Sequence, residues 1–118
     1  MFDEHQENEI NRQALFSDET QDYRYPEEPD AGETVTLWFR TAKNDVDRVF
    51  YIEEDKNIQA EMRKVSSDSL FDYYEYRMEA DSQPQRYYFQ VVKGSAVCYF
   101  NRLGATMDIQ SCYAFRIT

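Results

Sequence analysis

A chain of 118 residues, of which 42% are hydrophobic and 16% aromatic, is long enough to bury one modest core and excludes a disordered chain. The net charge is −10 and no cluster of Lys and Arg is present, so nucleic acid and an anionic membrane surface are excluded as partners. No apolar run of about 18 residues and no signal peptide is found, and we therefore expect a soluble, cytoplasmic domain.

The first 33 residues carry most of the negative charge, with 11 Asp and Glu against two Arg. A short helix could form over residues 9–16, but Pro26, Pro29 and Gly32 follow and favour irregular chain. We predict two parts: an acidic, partly ordered N-terminal arm over residues 1–33, and a β-sandwich over residues 34–118.

From residue 34 onward the sequence alternates between short strand-like segments and turn residues. The predicted strands span residues 34–41, 46–53, 59–65, 70–80, 85–93, 96–100 and 111–117. About seven antiparallel strands with no helix between them predict an all-β sandwich.

Alternation assigns the strand side chains to two faces. The residues predicted to face the core are Val35, Leu37, Phe39, Leu70, Tyr74, Tyr76, Met78, Tyr87, Phe89 and Val91. The aromatic residues predicted to face outward are Trp38, Phe71, Tyr73 and Tyr88.

Outward aromatic rings suit sugar binding, because a rigid ring covers the apolar face of a pyranose at a low entropy cost. Trp38, Tyr73 and Tyr88 are our candidate carbohydrate-binding residues, and they form one platform only if their strands share a sheet. The alternative is that the ten tyrosines mainly fill the core and its rim.

No catalytic residues are predicted. The single histidine, His5, lies in the acidic arm, so the sandwich has no base for a nucleophilic triad. The carboxylate pairs Glu53 with Glu54 and Asp68 with Asp72 are rejected as a glycosidase acid and nucleophile, since adjacent strand side chains diverge.

No cofactor is predicted either. Asn44, Asp45 and Asp47 could hold a structural Ca²⁺, but the favoured interpretation is a plain turn, with Asn44 in the left-handed conformation and Asp45 bonding its own backbone. Cys98 and Cys112 are expected to be buried, reduced thiols, with a cross-strand disulfide as the alternative.

Three stretches resemble one known family, in the same order and at matching distances. Residues 41–49, TAKNDVDRV, resemble its "TAKGDVKRV" text; residues 67–75, SDSLFDYYE, resemble its "DELFDYWEAE" strand; residues 86–90, RYYFQ, resemble its "RYYF" strand. The family is the family 34 carbohydrate-binding module, the immunoglobulin-like N-terminal domain of neopullulanases, cyclomaltodextrinases and maltogenic amylases. The resemblance covers about residues 16–118. Asn44 replaces a common Gly, and Tyr74 stands where Trp is common, which speaks against a tryptophan platform there.

The resemblance implies an immunoglobulin-like, non-catalytic module that binds starch or maltooligosaccharides, with catalysis in a following barrel of an α-amylase-family glycoside hydrolase. A dimerisation and active-site-shaping role in a homodimer of the parent enzyme, without independent sugar binding, is the alternative. A third interpretation, an unrelated immunoglobulin-like adhesion or secretion domain, requires the resemblance to be accidental.

Overall fold

The computed structural model describes residues 9–106 and 114–117, and these residues form two antiparallel sheets. The N-terminal segment contains one turn of 3-10 helix at Arg12–Ala14. The described residues form ten strands: β1 (Arg24–Tyr25), β2 (Thr34–Ala42), β3 (Arg48–Glu53), β4 (Ile58–Glu61), β5 (Arg63–Ser67), β6 (Phe71–Glu79), β7 (Gln85–Lys93), β8 (Ala96–Asn101), β9 (Gly104–Thr106) and β10 (Phe115–Ile117).

The four-stranded sheet has the order β1-β2-β6-β5, and the six-stranded sheet has the order β4-β3-β7-β8-β9 with β10 paired to the first half of β7. Their inner faces enclose the hydrophobic core, which confirms the predicted all-β sandwich and is consistent with an immunoglobulin-like fold. Positive φ angles at Asn44, Asn57 and Gly94 provide the left-handed residues that the hairpin turns need.

The predicted core face is confirmed at nearly every position. Val35, Leu37 and Phe39 on β2 are fully buried, as are the predicted inward residues of β7, and Tyr74 is 5% exposed. Tyr76 and Met78 are partly buried against the same core.

Leu70 was predicted to face the core, and this prediction was wrong. Its side chain is 67% exposed because Leu70 lies in the turn before β6 and not in the strand. Asp68 Oδ1 accepts hydrogen bonds from the backbone N–H groups of Leu70 and Phe71, which fixes that turn and directs the leucine into solvent.

The segment predicted as one strand over residues 59–65 forms two strands in different sheets. β4 pairs with β3 in the six-stranded sheet, whereas β5 pairs with β6 in the four-stranded sheet. Between them Met62 is buried in the core, and its N–H donates to the carbonyl oxygen of Val49 at 2.8 Å. The chain therefore changes sheets at Met62, and a flexible thioether side chain fills the space at the crossing.

The described part of the N-terminal arm packs against the sandwich. Leu15 is buried in the core, and β1 pairs with β2. Arg24 is 5% exposed, and its guanidinium donates to the carbonyl oxygen of Arg116 at 2.8 Å and to the hydroxyl of Tyr87 at 3.2 Å. Regular structure thus begins before residue 34, where the sequence analysis placed the start of the sandwich.

Candidate functional site

The four predicted outward aromatic residues divide between the two sheets. Trp38 lies on β2, and Phe71 and Tyr73 lie on β6, so all three belong to the outer face of the four-stranded sheet. Tyr88 lies on β7 in the six-stranded sheet. The condition for one common platform is therefore met by Trp38 and Tyr73, and Tyr88 lies on the opposite side of the sandwich.

Strand register places Trp38 and Tyr73 close together. Trp38 pairs directly with Glu75, and Arg40 pairs directly with Tyr73, which makes Trp38 and Tyr73 diagonal neighbours across β2 and β6. Diagonal neighbours on one face are separated by about 7–8 Å, within reach of large side chains. Both rings line a groove with a volume of about 540 Å³.

The groove has two walls, which flank Trp38 and Tyr73 on the outer face of the four-stranded sheet. One wall comes from the N-terminal segment and consists of Gln21, Asp22 and Tyr23; the other comes from β5 and consists of Val65 and Ser66. A β-bulge in β5 falls between Lys64 and Ser66, so that Val65 has no partner residue on β6. The bulge places one apolar and one hydroxyl side chain at the groove.

The N-terminal wall is fixed by local hydrogen bonds. Asp18 Oδ1 accepts from the backbone N–H of Thr20 at 3.0 Å and from its hydroxyl at 2.6 Å. The carbonyl oxygen of Thr20 then accepts from the backbone N–H of Tyr23 at 2.9 Å. The backbone N–H of Trp38 donates to the carbonyl oxygen of Tyr23 at 3.0 Å. This wall is therefore a hydrogen-bonded turn that is joined to β2.

Arg40 connects the wall to the aromatic side chains of the sheet. Its Cζ atom lies 4.1 Å from the centroid of the Phe71 ring and 5.4 Å from that of Phe16, and its Nε donates to the carbonyl oxygen of Ala14 at 3.0 Å. Burial raises the pKa of Tyr23, and the positive charge of Arg40 offsets this only in part. Guanidinium groups over aromatic faces are stabilising contacts that hold both partners in place.

Carboxylates hold the polar tips of the Trp38 and Tyr73 side chains. Trp38 Nε1 donates to Glu75 Oε2 at 3.1 Å, and the Tyr73 hydroxyl donates to Asp68 Oδ2 at 3.0 Å. Burial, followed by the hydrogen bond to Asp68, raises the pKa of Tyr73. Hydrogen bonds from the backbone of Leu70 and Phe71 lower the pKa of Asp68, which keeps it an ionised acceptor. Each ring is thus oriented by a fixed partner.

Tyr88 lies in a different environment. It is 8% exposed, pairs with Ile52 on β3, and contacts the Tyr99 ring edge-on with centroids 6.0 Å apart. Beside it Gln59 donates to Gln90 at 2.9 Å. The outer face of the six-stranded sheet therefore has little free ring area at Tyr88.

Sequence reasoning missed the groove residues outside β2 and β6. Tyr23 falls in a Pro-rich and acidic stretch, and the alternation argument did not extend to it. The available signal was the Asp18 and Thr20 pair, which is typical of a side-chain-capped turn. Val65 and Ser66 were assigned to one continuous strand, and a bulge leaves no mark in the alternation of so short a segment.

The other candidate chemistries are also located. Glu53 is buried in the core, where its Oε1 accepts from the Tyr51 hydroxyl at 2.8 Å and from Gln85 at 3.1 Å. It therefore faces no cleft. Among residues 9–106 and 114–117, no group of three or more His, Cys, Asp and Glu side chains has an arrangement suited to a metal ion.

The predicted turn at Asn44 is confirmed, with φ at 53°. Asp45 accepts from Lys93 Nζ at 2.7 Å and from the N–H of Asn11 at 2.8 Å, and Asp47 accepts from the N–H of Gly94 at 2.6 Å. These carboxylates thus bind other segments of the chain, whereas the prediction had Asp45 bonding its own backbone.

Cys98 is a free, buried thiol, and burial raises its pKa to about 11. Cys112 and His5 lie outside the described residues. In the part of the chain that the structure describes, no helix has the length and apolar character needed to cross a bilayer.

Comparison with known proteins gives a family and a fold. Residues 6–117 match the family model "Alpha amylase, N-terminal ig-like domain". Among solved structures, the chain is similar to a cyclomaltodextrinase, with a TM-score of 0.74 and 22% sequence identity over 88% of this chain. The chain spans 19% of the length of that cyclomaltodextrinase chain. No curated protein sequence matches significantly.

The family match covers nearly the whole chain, and it excludes the unrelated adhesion or secretion domain that the sequence analysis left open. The structural similarity independently agrees with the fold. The chain therefore belongs to the family of N-terminal immunoglobulin-like domains of α-amylase-type enzymes.

Proposed function

We propose that this chain is a non-catalytic α-glucan-binding module, of the family 34 carbohydrate-binding type, in an α-amylase-family glycoside hydrolase. Its ligand is starch or a maltooligosaccharide, and Trp38 and Tyr73 form the binding platform. The observation that carries this proposal is the presence of both rings in one groove on the outer face of the four-stranded sheet.

The chemistry of the groove suits a neutral sugar. Trp38 and Tyr73 offer apolar ring surface for the C–H faces of glucose units, while Gln21, Asp22 and Ser66 offer hydrogen-bonding groups to hydroxyls at the rim. Since the ring tips are already held by Glu75 and Asp68, little side-chain entropy is lost when a sugar stacks. Similarity to a cyclomaltodextrinase supports α-glucan as the ligand class.

Catalysis is assigned to a following barrel of the parent enzyme. Two described carboxylates near the groove are engaged in local structure: Asp68 caps a turn and Glu75 bonds to Trp38. Neither belongs to a facing acid and nucleophile pair across a cleft.

Titration with maltoheptaose, followed by fluorescence, tests the proposal. Trp38 is the only tryptophan, so a change in its emission reports an event at the groove directly. We expect weak, saturable binding, because a groove with two stacking rings buries little area. Cellohexaose, which has β-linkages, is the matched control. Unchanged Trp38 emission and unchanged tyrosine resonances at millimolar maltoheptaose would overturn the proposal.

A second candidate function, dimerisation of the parent enzyme, is favoured by the outer face of the six-stranded sheet. Its outward side chains include Phe50, Ile52, Val92, Val97 and Tyr99, all half-buried, with amides in the centre. Apolar side chains of this kind, including the aromatic Phe50 and Tyr99, suit the core of a protein–protein interface. Sedimentation of the parent enzyme with and without this domain tests it: deletion converts a dimer into a monomer if the face is an interface.

A further inference from the structure

Trp38 is held by a row of side chains that crosses three strands. Glu75 on β6 is the direct partner of Trp38 on β2 and also the direct partner of Arg63 on β5. One carboxylate oxygen of Glu75, Oε2, accepts from Trp38 Nε1 at 3.1 Å. The Glu75 side chain is 14% exposed, although it lies on the outer face of the sheet.

The other oxygen of Glu75 is held from two sides. Oε1 lies 3.3 Å from Arg77 Nε and 3.8 Å from an Arg63 terminal nitrogen. Both arginines are much more exposed than Glu75, with 68% and 79% of their side-chain surface accessible. Both arginines pair with Oε1, so that Oε2 is the oxygen that accepts from the indole.

The consequence for Trp38 is a fixed ring plane. A tryptophan on a sheet surface has alternative rotamers, and a ligand that stacks on it must select one of them. The bond to Glu75 selects the rotamer before the ligand arrives. It also occupies the indole N–H, so Trp38 offers its ring face and no free donor to the ligand.

We propose that Glu75 is a positioning residue, which holds the indole of Trp38 in the orientation that stacks against a glucose unit. This role rests on the proposed glucan-binding function. Glu75 acts through Trp38 and contributes no stacking surface of its own.

The experiment compares Glu75→Ala, Glu75→Gln and Glu79→Gln in the full chain. Glu79→Gln is the matched control, because Glu79 lies on the same face of the same strand and its substitution removes the same charge. Two properties are measured: the affinity for maltoheptaose by calorimetry, and the ordering of the indole by the ¹⁵N heteronuclear NOE and hydrogen exchange of Trp38 Nε1–H without ligand.

We expect Glu75→Ala to lower the indole NOE, accelerate exchange of Nε1–H, and weaken affinity by about threefold to tenfold, the effect of one freed side chain. Glu75→Gln should rescue both properties in large part, since its amide oxygen accepts the same hydrogen bond. Glu79→Gln should match the native chain in both.

Two results would overturn the positioning role: an unchanged indole NOE in Glu75→Ala, or a mobile indole with undiminished affinity. If the native chain itself shows no affinity for maltoheptaose, the proposed function fails, and the role of Glu75 in binding fails with it. The NOE measurement distinguishes these cases, because it reports on the hydrogen bond between Glu75 and the Trp38 indole without any ligand.

Discussion

The two outward faces of the sandwich carry aromatic residues at equivalent alternating positions, yet they present them differently. On the four-stranded sheet, Trp38 and Tyr73 line a groove between a capped turn and a bulged edge strand. On the six-stranded sheet, Tyr88 is only 8% exposed and packs edge-on against Tyr99. An outward position therefore does not make a binding residue; the flanking segments decide whether ring area remains free.

This difference assigns opposite roles to Trp38 and Tyr88. Trp38 should contribute mainly to ligand affinity and little to the free energy of unfolding, whereas Tyr88 should do the reverse. Substitutions at these two positions, and at the residues that support them, test whether the two faces differ as the structure indicates.

The largest expected effect is on stability, at Tyr88. Tyr88→Ala removes a ring that is 8% exposed and packed against Tyr99, and it should lower the free energy of unfolding by about 3–4 kcal/mol. Affinity for maltoheptaose should stay at the native value. Urea unfolding and calorimetry measure the two quantities. Tyr88→Phe is the control that retains the ring, and a loss of affinity in a folded Tyr88→Ala variant would restore Tyr88 to the binding site.

The next effect is on affinity, at Trp38. Trp38→Ala removes a central stacking ring and should weaken maltoheptaose binding by about 2 kcal/mol, more than about tenfold. The fold should remain intact, since the side chain lies on the outer face. Calorimetry is the measurement, because the variant lacks the only tryptophan. Native affinity in the variant would show that Trp38 is irrelevant to binding, and unfolding would show that it supports the core.

A smaller effect, on stability, is expected at Asp72 in the four-stranded sheet. This residue is buried on β6 next to Tyr73, and its carboxylate accepts from the Ser67 hydroxyl, from the Asn44 N–H at 2.9 Å, and from Lys64 Nζ at 3.2 Å. Burial raises the pKa of Asp72, but the combined effect of these three partners is larger and in the opposite direction. The pKa of Asp72 therefore lies below the ordinary value of 3.8.

The lowered pKa of Asp72 makes the free energy of unfolding depend on pH. A carboxyl group with a lowered pKa in the folded state stabilises the fold above its unfolded pKa and loses this contribution as the pH falls through the folded value. Asp72→Asn should therefore cost about 1 kcal/mol of unfolding free energy at pH 6 and progressively less below about pH 4. Urea unfolding at pH 6 and pH 3 measures this, with Asp30→Asn at an exposed position as the charge control. An equal cost at both pH values would contradict the assignment.

The sequence predicted the faces of the strands well, because alternation is a local property that each strand records in its own residues. Val35, Leu37 and Phe39 were placed in the core correctly, and Trp38 was placed outside it. Leu70 was misplaced because the turn capped by Asp68 begins β6 one residue later than the apolar pattern indicates.

Sheet membership could not be predicted, because it depends on pairings between distant segments. Nothing local to Tyr88 distinguishes its sheet from that of Trp38, and nothing in residues 59–65 marks the change of sheet at Met62. The wall residue Tyr23 was missed for a related reason. It becomes part of the site through distant contacts such as the hydrogen bond from the backbone N–H of Trp38, 15 residues further along the chain.

The smallest expected effect concerns the hydroxyl of Tyr73. Tyr73→Phe keeps the ring face in the groove and removes only the hydrogen bond to Asp68, so binding of maltoheptaose should weaken by about twofold to fivefold. Tyr88→Phe should leave affinity unchanged, because Tyr88 lies on the other sheet. Calorimetry on both variants compares the same chemical change on the two faces, because each variant loses one tyrosine hydroxyl oxygen. Equal affinities in the two variants would show that the Asp68 bond does not orient Tyr73 for the ligand, and Tyr73→Ala would then decide whether the ring itself contributes. A larger loss in Tyr88→Phe than in Tyr73→Phe would place the sugar on the six-stranded sheet and reverse the roles of the two faces.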